Sequence, residues 1–169
     1  MENKITSHIT KGLVIALILM VFSVIIYLTG NNTASWAQWS SFAIFMGGIV
    51  WSCANFANQK EGNITFGNVF AHGFKTSTVV ACLMVVFLLL MNAVFPEIKD
   101  MAIDQAREEL YKQPGLSDDQ IDMSLNMVSQ YYTVMMIGGT LLGYILLGLV
   151  ASLIGAGVAK KNPQPAHPF

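Results

Sequence analysis

Residues 76–95 read TSTVVACLMVVFLLLMNAVF, twenty positions without a charged side chain. A helix needs about 20 mostly apolar residues to cross a bilayer, so this stretch decides the fold class. Three more runs of the same kind flank it: 12–29 (GLVIALILMVFSVIIYLT), 40–57 (SSFAIFMGGIVWSCANFA) and 134–158. Hydrocarbon offers backbone groups no hydrogen-bond partner, so each run should be helical. None alternates apolar and polar as a barrel strand does. The expectation is an all-α, polytopic membrane protein with four transmembrane helices in a single domain spanning 1–169. Composition agrees: of 169 residues, 54% are hydrophobic and only 11% charged, against about 25% charged in soluble domains. Nine Lys and Arg balance ten Asp and Glu, which leaves no basic surplus for a nucleic-acid backbone.

The first run resembles a secretory leader, with Lys4 and Lys11 before it and Ser35-Trp36-Ala37 as a tolerable cleavage site. It is long for the apolar core of such a leader, so a retained span is expected. Short-loop lysines orient the chain. Lys4, Lys11, Lys60, Lys75, Lys160 and Lys161 fall on one side, and 30–39 has no Lys or Arg. The 96–133 segment has Lys99, Arg107 and Lys112 among eight acids. Both termini are therefore expected in the cytoplasm of a bacterial inner membrane. Tyr27, Trp36, Trp39, Tyr131 and Tyr132 fit the outer interface.

Residues 96–133 are too many for a structureless loop and read as a helical extracytoplasmic hairpin between helices 3 and 4. Pro96 suits a first turn. Ile98, Met101, Ala102, Ile103, Ala106 and Leu110 form an apolar stripe. Pro114-Gly115 breaks the helix, and Ser117-Asp118-Asp119-Gln120 is a capping-box pattern. No breaker follows before Gly138, so the last spanning helix should begin near Asp118. This hairpin is either a solvated, self-packed element or a docking surface for a partner. The spacing of Asp100, Asp104 and Glu108 also admits a cation, although such acids are common on solvated helices.

Between spans two and three, Phe66, Phe70 and Phe74 recur every four residues. With Thr65 as a cap, they predict a short amphipathic helix lying at the cytoplasmic interface and feeding into span three. It reads as a membrane anchor, or as a binding loop in which His72 and Lys75 present to phosphate.

Motifs for catalysis, cofactors and metals are absent: no Walker A, GxGxxG, GxSxG, HExxH or CxxC pattern occurs. His8, His72 and His167 lack ligand spacing. His167 lies in the tail, 160–169, expected to be flexible. No catalytic residue, cofactor or metal is therefore expected. Cys53 and Cys82 read as small packing residues. The four runs hold no Asp, Glu, Lys, Arg or His, which argues against proton-coupled transport. Asn55 and Asn92 are the strongest intramembrane polar groups and suit bonds between helices. A helix-packing or oligomer face is expected from Gly139, Gly143, Gly148 and Ser152 in span four, with Ala43 and Gly47 in span two.

The N-terminal ENKIT, the phrase GNITFGNVFAHGFKTS with Gly67, Phe70, Gly73 and Phe74, and the linker REELYKQPGLSDDQID before a glycine-rich last span resemble one family. It is a bacterial family of small four-helix inner-membrane proteins catalogued as a domain of unknown function. The resemblance covers nearly the whole chain. It implies the four-helix fold, no known activity, and a role assisting enzymes of the envelope. The expected function is a non-enzymatic accessory or assembly subunit of an envelope complex, its partner another membrane protein or itself. The alternative is an oligomeric channel or carrier for a small neutral or lipidic solute. A membrane enzyme acting on lipids ranks below both, for want of a nucleophile–base pair.

Overall fold

A computed structural model describes residues 6–31 and 34–161. Among them the chain is all-α: α1 His8–Leu28, α2 Ser35–Gln59, α3 Phe66–Val94, α4 Glu97–Tyr111 and α5 Asp118–Val158. Helices α1, α2, α3 and α5 are long and apolar enough to cross a membrane, so the chain is a multi-pass membrane protein. Lys4 and His167, with the tail beyond residue 161, lie outside the described residues.

Local chemistry sets the helix ends. Ser7 caps α1, its Oγ accepting from the Thr10 amide at 3.2 Å. Thr65 caps α3 through the Asn68 amide at 3.4 Å. The capping box at Ser117 is complete. The Gln120 amide donates to Ser117 Oγ at 3.4 Å, and the Ser117 amide donates to Gln120 Oε1 at 3.0 Å. Helix α2 ends where Glu61 and Gly62 turn left-handed, at φ 53° and 75°. The Gly62 amide returns to the Ala57 carbonyl at 3.0 Å. That is the usual way to satisfy orphaned helix carbonyls, and it favours glycine.

The chain forms two compact units, 1–84 with 142–169, and 85–141. The first mixes small and polar residues into its core. Beside buried Ile15, Leu19, Ile49, Val69 and Val80, its inward positions include Gly12 and Ala16 on α1, Ser52 and Cys53 on α2, Gly73, Thr76 and Ser77 on α3, and Gly148, Ala151, Ser152 and Ala156 on α5. Its outward positions are large and aliphatic, among them Leu13, Leu17, Ile18, Leu149, Leu153 and Ile154. Lipid solvates aliphatic side chains as well as a core does, so helices instead associate by close backbone approach. A Cβ at Gly73 would sit 2.5 Å from Cys53 Sγ, and one at Gly155 2.8 Å from Cys53 Cβ. At Gly148 it would collide with Ser77. Phe45 fills the remaining space edge-on to Tyr144, ring centroids 4.8 Å apart.

Within 85–141, α4 buries no side chain. The early part of α5 buries Ile121 and Leu125. Asn92 joins α3 to α5: it accepts from the Tyr132 hydroxyl at 3.0 Å and approaches Met136 Sδ at 3.2 Å.

The structure refines three sequence expectations. First, the helices outrun the apolar runs. Helix α1 starts at His8, ahead of the run at 12, and α3 at Phe66, ahead of the run at 76. Helical hydrogen bonding continues wherever caps and propensity permit, whereas an apolar window ends at the first charge. Lys11 and His72 thereby enter helices that the runs left free of ionisable groups. Second, Phe66, Phe70, His72, Phe74 and Lys75 form the opening turns of α3, continuous with span three. Its inward face there is Val69, His72 and Gly73, and not the phenylalanine stripe. Phe70 and Phe74 stack on one another outside that face, centroids 6.0 Å apart. Third, the small-residue face divides. Gly148 and Ser152 are buried, but Ala43 is exposed and a Cβ at Gly47, Gly139 or Gly143 would meet nothing within 4 Å. Cys82 is likewise exposed, while Cys53 packs as expected.

Candidate functional site

The first unit concentrates its polar chemistry where α1, α2 and α3 begin or end. Lys11 is one turn into α1 and heads the inward stripe Lys11, Ile15, Leu19. Its side chain is only 2% exposed. The ammonium donates to the Ser52 carbonyl at 3.3 Å and lies 5.8 Å from the Phe56 ring centroid. A buried charge is costly without a counter-ion. Here the described partners are a carbonyl and a π face, both weaker than a carboxylate.

His72, 7% exposed, stacks flat on Phe56 with centroids 3.9 Å apart and planes 5° apart. His8 meets the His72 ring edge-on at 6.3 Å. His72 Nε2 is 3.3 Å from Ser52 Oγ, which is 3.4 Å from Thr76 Oγ1. The Thr76 hydroxyl donates to the His72 carbonyl at 2.8 Å. Each hydroxyl has one proton, so the consistent assignment runs from Nε2–H to Ser52, from Ser52 to Thr76, and from Thr76 to the carbonyl. That assignment protonates His72 at Nε2 and leaves Nδ1 uncommitted in the network.

Above this cluster opens a cleft of about 540 Å³. Its walls include His8, Lys60, His72 and Lys75, with Thr6, Ser7, Asn63 and Asn68, and Phe56 at its base. No described carboxylate lines it. Lys60 and Lys75 point no described hydrogen bond elsewhere.

The sequence brought His72 and Lys75 forward, and the structure brings both to this cleft. It does not bring Phe66, Phe70 or Phe74 there. Asn55 is half-buried in α2, and Asn92 belongs to the 85–141 unit as an interhelical tie. Lys11, Ser52, Phe56 and Thr76 escaped the sequence reading as a group. Their signal was present: Val69, His72, Gly73, Thr76, Ser77 and Val80 recur at three and four residues, so His72 shares a face with the small residues of α3. The Asp100, Asp104 and Glu108 line gives no cluster of three metal-ligating side chains among the described residues.

No curated protein and no solved structure matches the chain. A family model described as a protein of unknown function, DUF4199, matches residues 10–161, a range that takes in Lys11, Ser52, Phe56, His72 and Thr76. The chain belongs to the DUF4199 family.

Proposed function

We propose that this chain is a non-enzymatic accessory or assembly subunit of an envelope complex in a bacterial inner membrane, with both termini cytoplasmic. The lysine asymmetry supports the orientation. One observation carries the subunit reading: an uncovered apolar stripe on α5 within the 85–141 unit. Met123, Met127, Tyr131, Val134 and Met135 recur at three and four residues, and all are exposed, Met123 at 68% and Val134 at 69%. The apolar run begins only at 134, so the Met123–Tyr131 stretch precedes it. Apolar side chains on that stretch are the mark of a protein contact, and methionine adapts well to a partner's contours. A pore would instead need Asn55 or Asn92 on a wet axis, and the Asn92 side chain is engaged by Tyr132 and the Leu88 carbonyl.

The test is a photocrosslinking residue at Met127 in the native host, followed by mild-detergent purification. The reading expects one stoichiometric crosslinked protein, lost in Met123→Glu/Tyr131→Glu while the chain still inserts. Crosslinks to lipid alone, or a partner that the double variant leaves in place, would overturn it.

A further inference from the structure

We propose that the cleft bounded by His8, Lys60, His72 and Lys75 is a binding site for a phosphate group. The argument is independent of the subunit reading. Two lysines and two histidines line one concavity of about 540 Å³, and no described carboxylate lines it. A solvated surface of this composition would ordinarily intersperse acids. Of the chain's ten Asp and Glu, eight fall in 96–133; Glu61 follows Lys60 without lining the cleft, and Glu2 lies outside the described residues. The Lys11 ammonium is buried against Phe56, which lines the cleft, and among the described residues its hydrogen bond goes to the Ser52 carbonyl. It is the second observation: a buried cation lacking a described counter-ion, adjoining a cleft that would accept one. Burial reduces solvent screening, so an anion in the cleft would gain from Lys11 without touching it.

The donor types suit phosphate rather than a planar carboxylate. Lysines act as compact point charges and reach tetrahedral oxygens from several directions. Thr6, Ser7, Asn63 and Asn68 supply neutral polar groups around them. The stacked Phe56–His72 pair makes the base flat and partly apolar, a surface against which the glycerol or acyl stem of a lipid would rest. The same phosphate chemistry is offered by an anionic lipid headgroup and by free phosphate, and the experiment separates them.

Full-length protein is placed in nanodiscs of phosphatidylcholine alone, or of phosphatidylcholine with a tenth phosphatidylglycerol. Inorganic phosphate is titrated into the first by calorimetry. Retained lipid is counted by native mass spectrometry in the second. Each basic side chain at a membrane surface changes anionic binding roughly fivefold, so Lys60→Gln/Lys75→Gln should weaken it by about 25-fold. Both lysines are exposed, so the fold should survive. Lys112→Gln, on α4 and outside the cleft, is the control. Selective retention of phosphatidylglycerol without phosphate binding supports a lipid headgroup. Binding of inorganic phosphate supports a soluble phosphate ligand. Binding of neither, or an equal loss in Lys112→Gln, would overturn the proposal.

Discussion

In residues 6–84 and 142–161, helices meet through Gly12, Gly73, Gly148 and Ser152, with Lys11 and His72 sealed among them. In residues 85–141 the fully buried side chains are Ile121 and Leu125, and α4 buries none. The first region largely satisfies itself: small residues allow contact and most of its buried polar side chains find one another, Ser152 Oγ being the exception among the described residues. The second region leaves its apolar stripe on α5 uncovered. Self-satisfied packing carries the fold, and uncovered apolar surface marks where something else must be supplied.

The largest test of this contrast is a pair of leucines. Gly148→Leu forces a side chain into Ser77 and should destabilise the fold by about 3 kcal/mol, the upper part of the usual overpacking range. Gly139→Leu enters open space and should change stability by less than about 0.5 kcal/mol. Unfolding by denaturing detergent measures both. Equal losses would mean that Gly139 is packed after all, against another copy or a partner.

A smaller effect is expected from Asn92→Leu. It removes the acceptor of the Tyr132 hydroxyl and should cost about 1.5 kcal/mol. Tyr132→Phe removes the donor with little extra loss in the double variant, and that non-additivity is the check. Ser117→Ala removes the hydroxyl arm of the capping box and keeps the backbone amide that donates to Gln120 Oε1, at a cost of about 1 kcal/mol. Faster amide exchange at Gln120 and Ile121, with the first unit unchanged, would show that the loss stays local.

Lys11→Met should change stability by under about 1 kcal/mol, and in the stabilising direction. An apolar replacement of similar length removes a buried charge with no carboxylate partner. Phosphate or lipid binding at the cleft should fall at the same time. A strongly destabilised Lys11→Met would mean that the ammonium is structural, and would sharpen the contrast differently.

Much of the architecture was readable from the chain. The apolar runs located four helices, Pro114-Gly115 and the Ser117 box located the break and restart, and Thr65 was identified as a cap. These are local signals, decided within a few residues. The site was readable only in part. His72 and Lys75 drew attention as neighbours of a phenylalanine stripe, but that stripe proved to face away from the core. Periodicity identifies faces without saying which one turns inward, and in lipid the bulkier face is not the buried one.

The sequence by itself determined that this is a helical, multi-pass membrane protein. Bilayer thickness and unsatisfied backbone groups leave an apolar twenty-residue run no other stable state. Only the tertiary structure decided which small residues serve as contacts, why Gly148 differs from Gly139, and that Lys11, Ser52, His72 and Thr76 form one cluster beneath a basic cleft. Those facts depend on the rotation and approach of helices, set by hydrogen bonding and by close packing between residues as distant in the chain as Cys53 and Gly155.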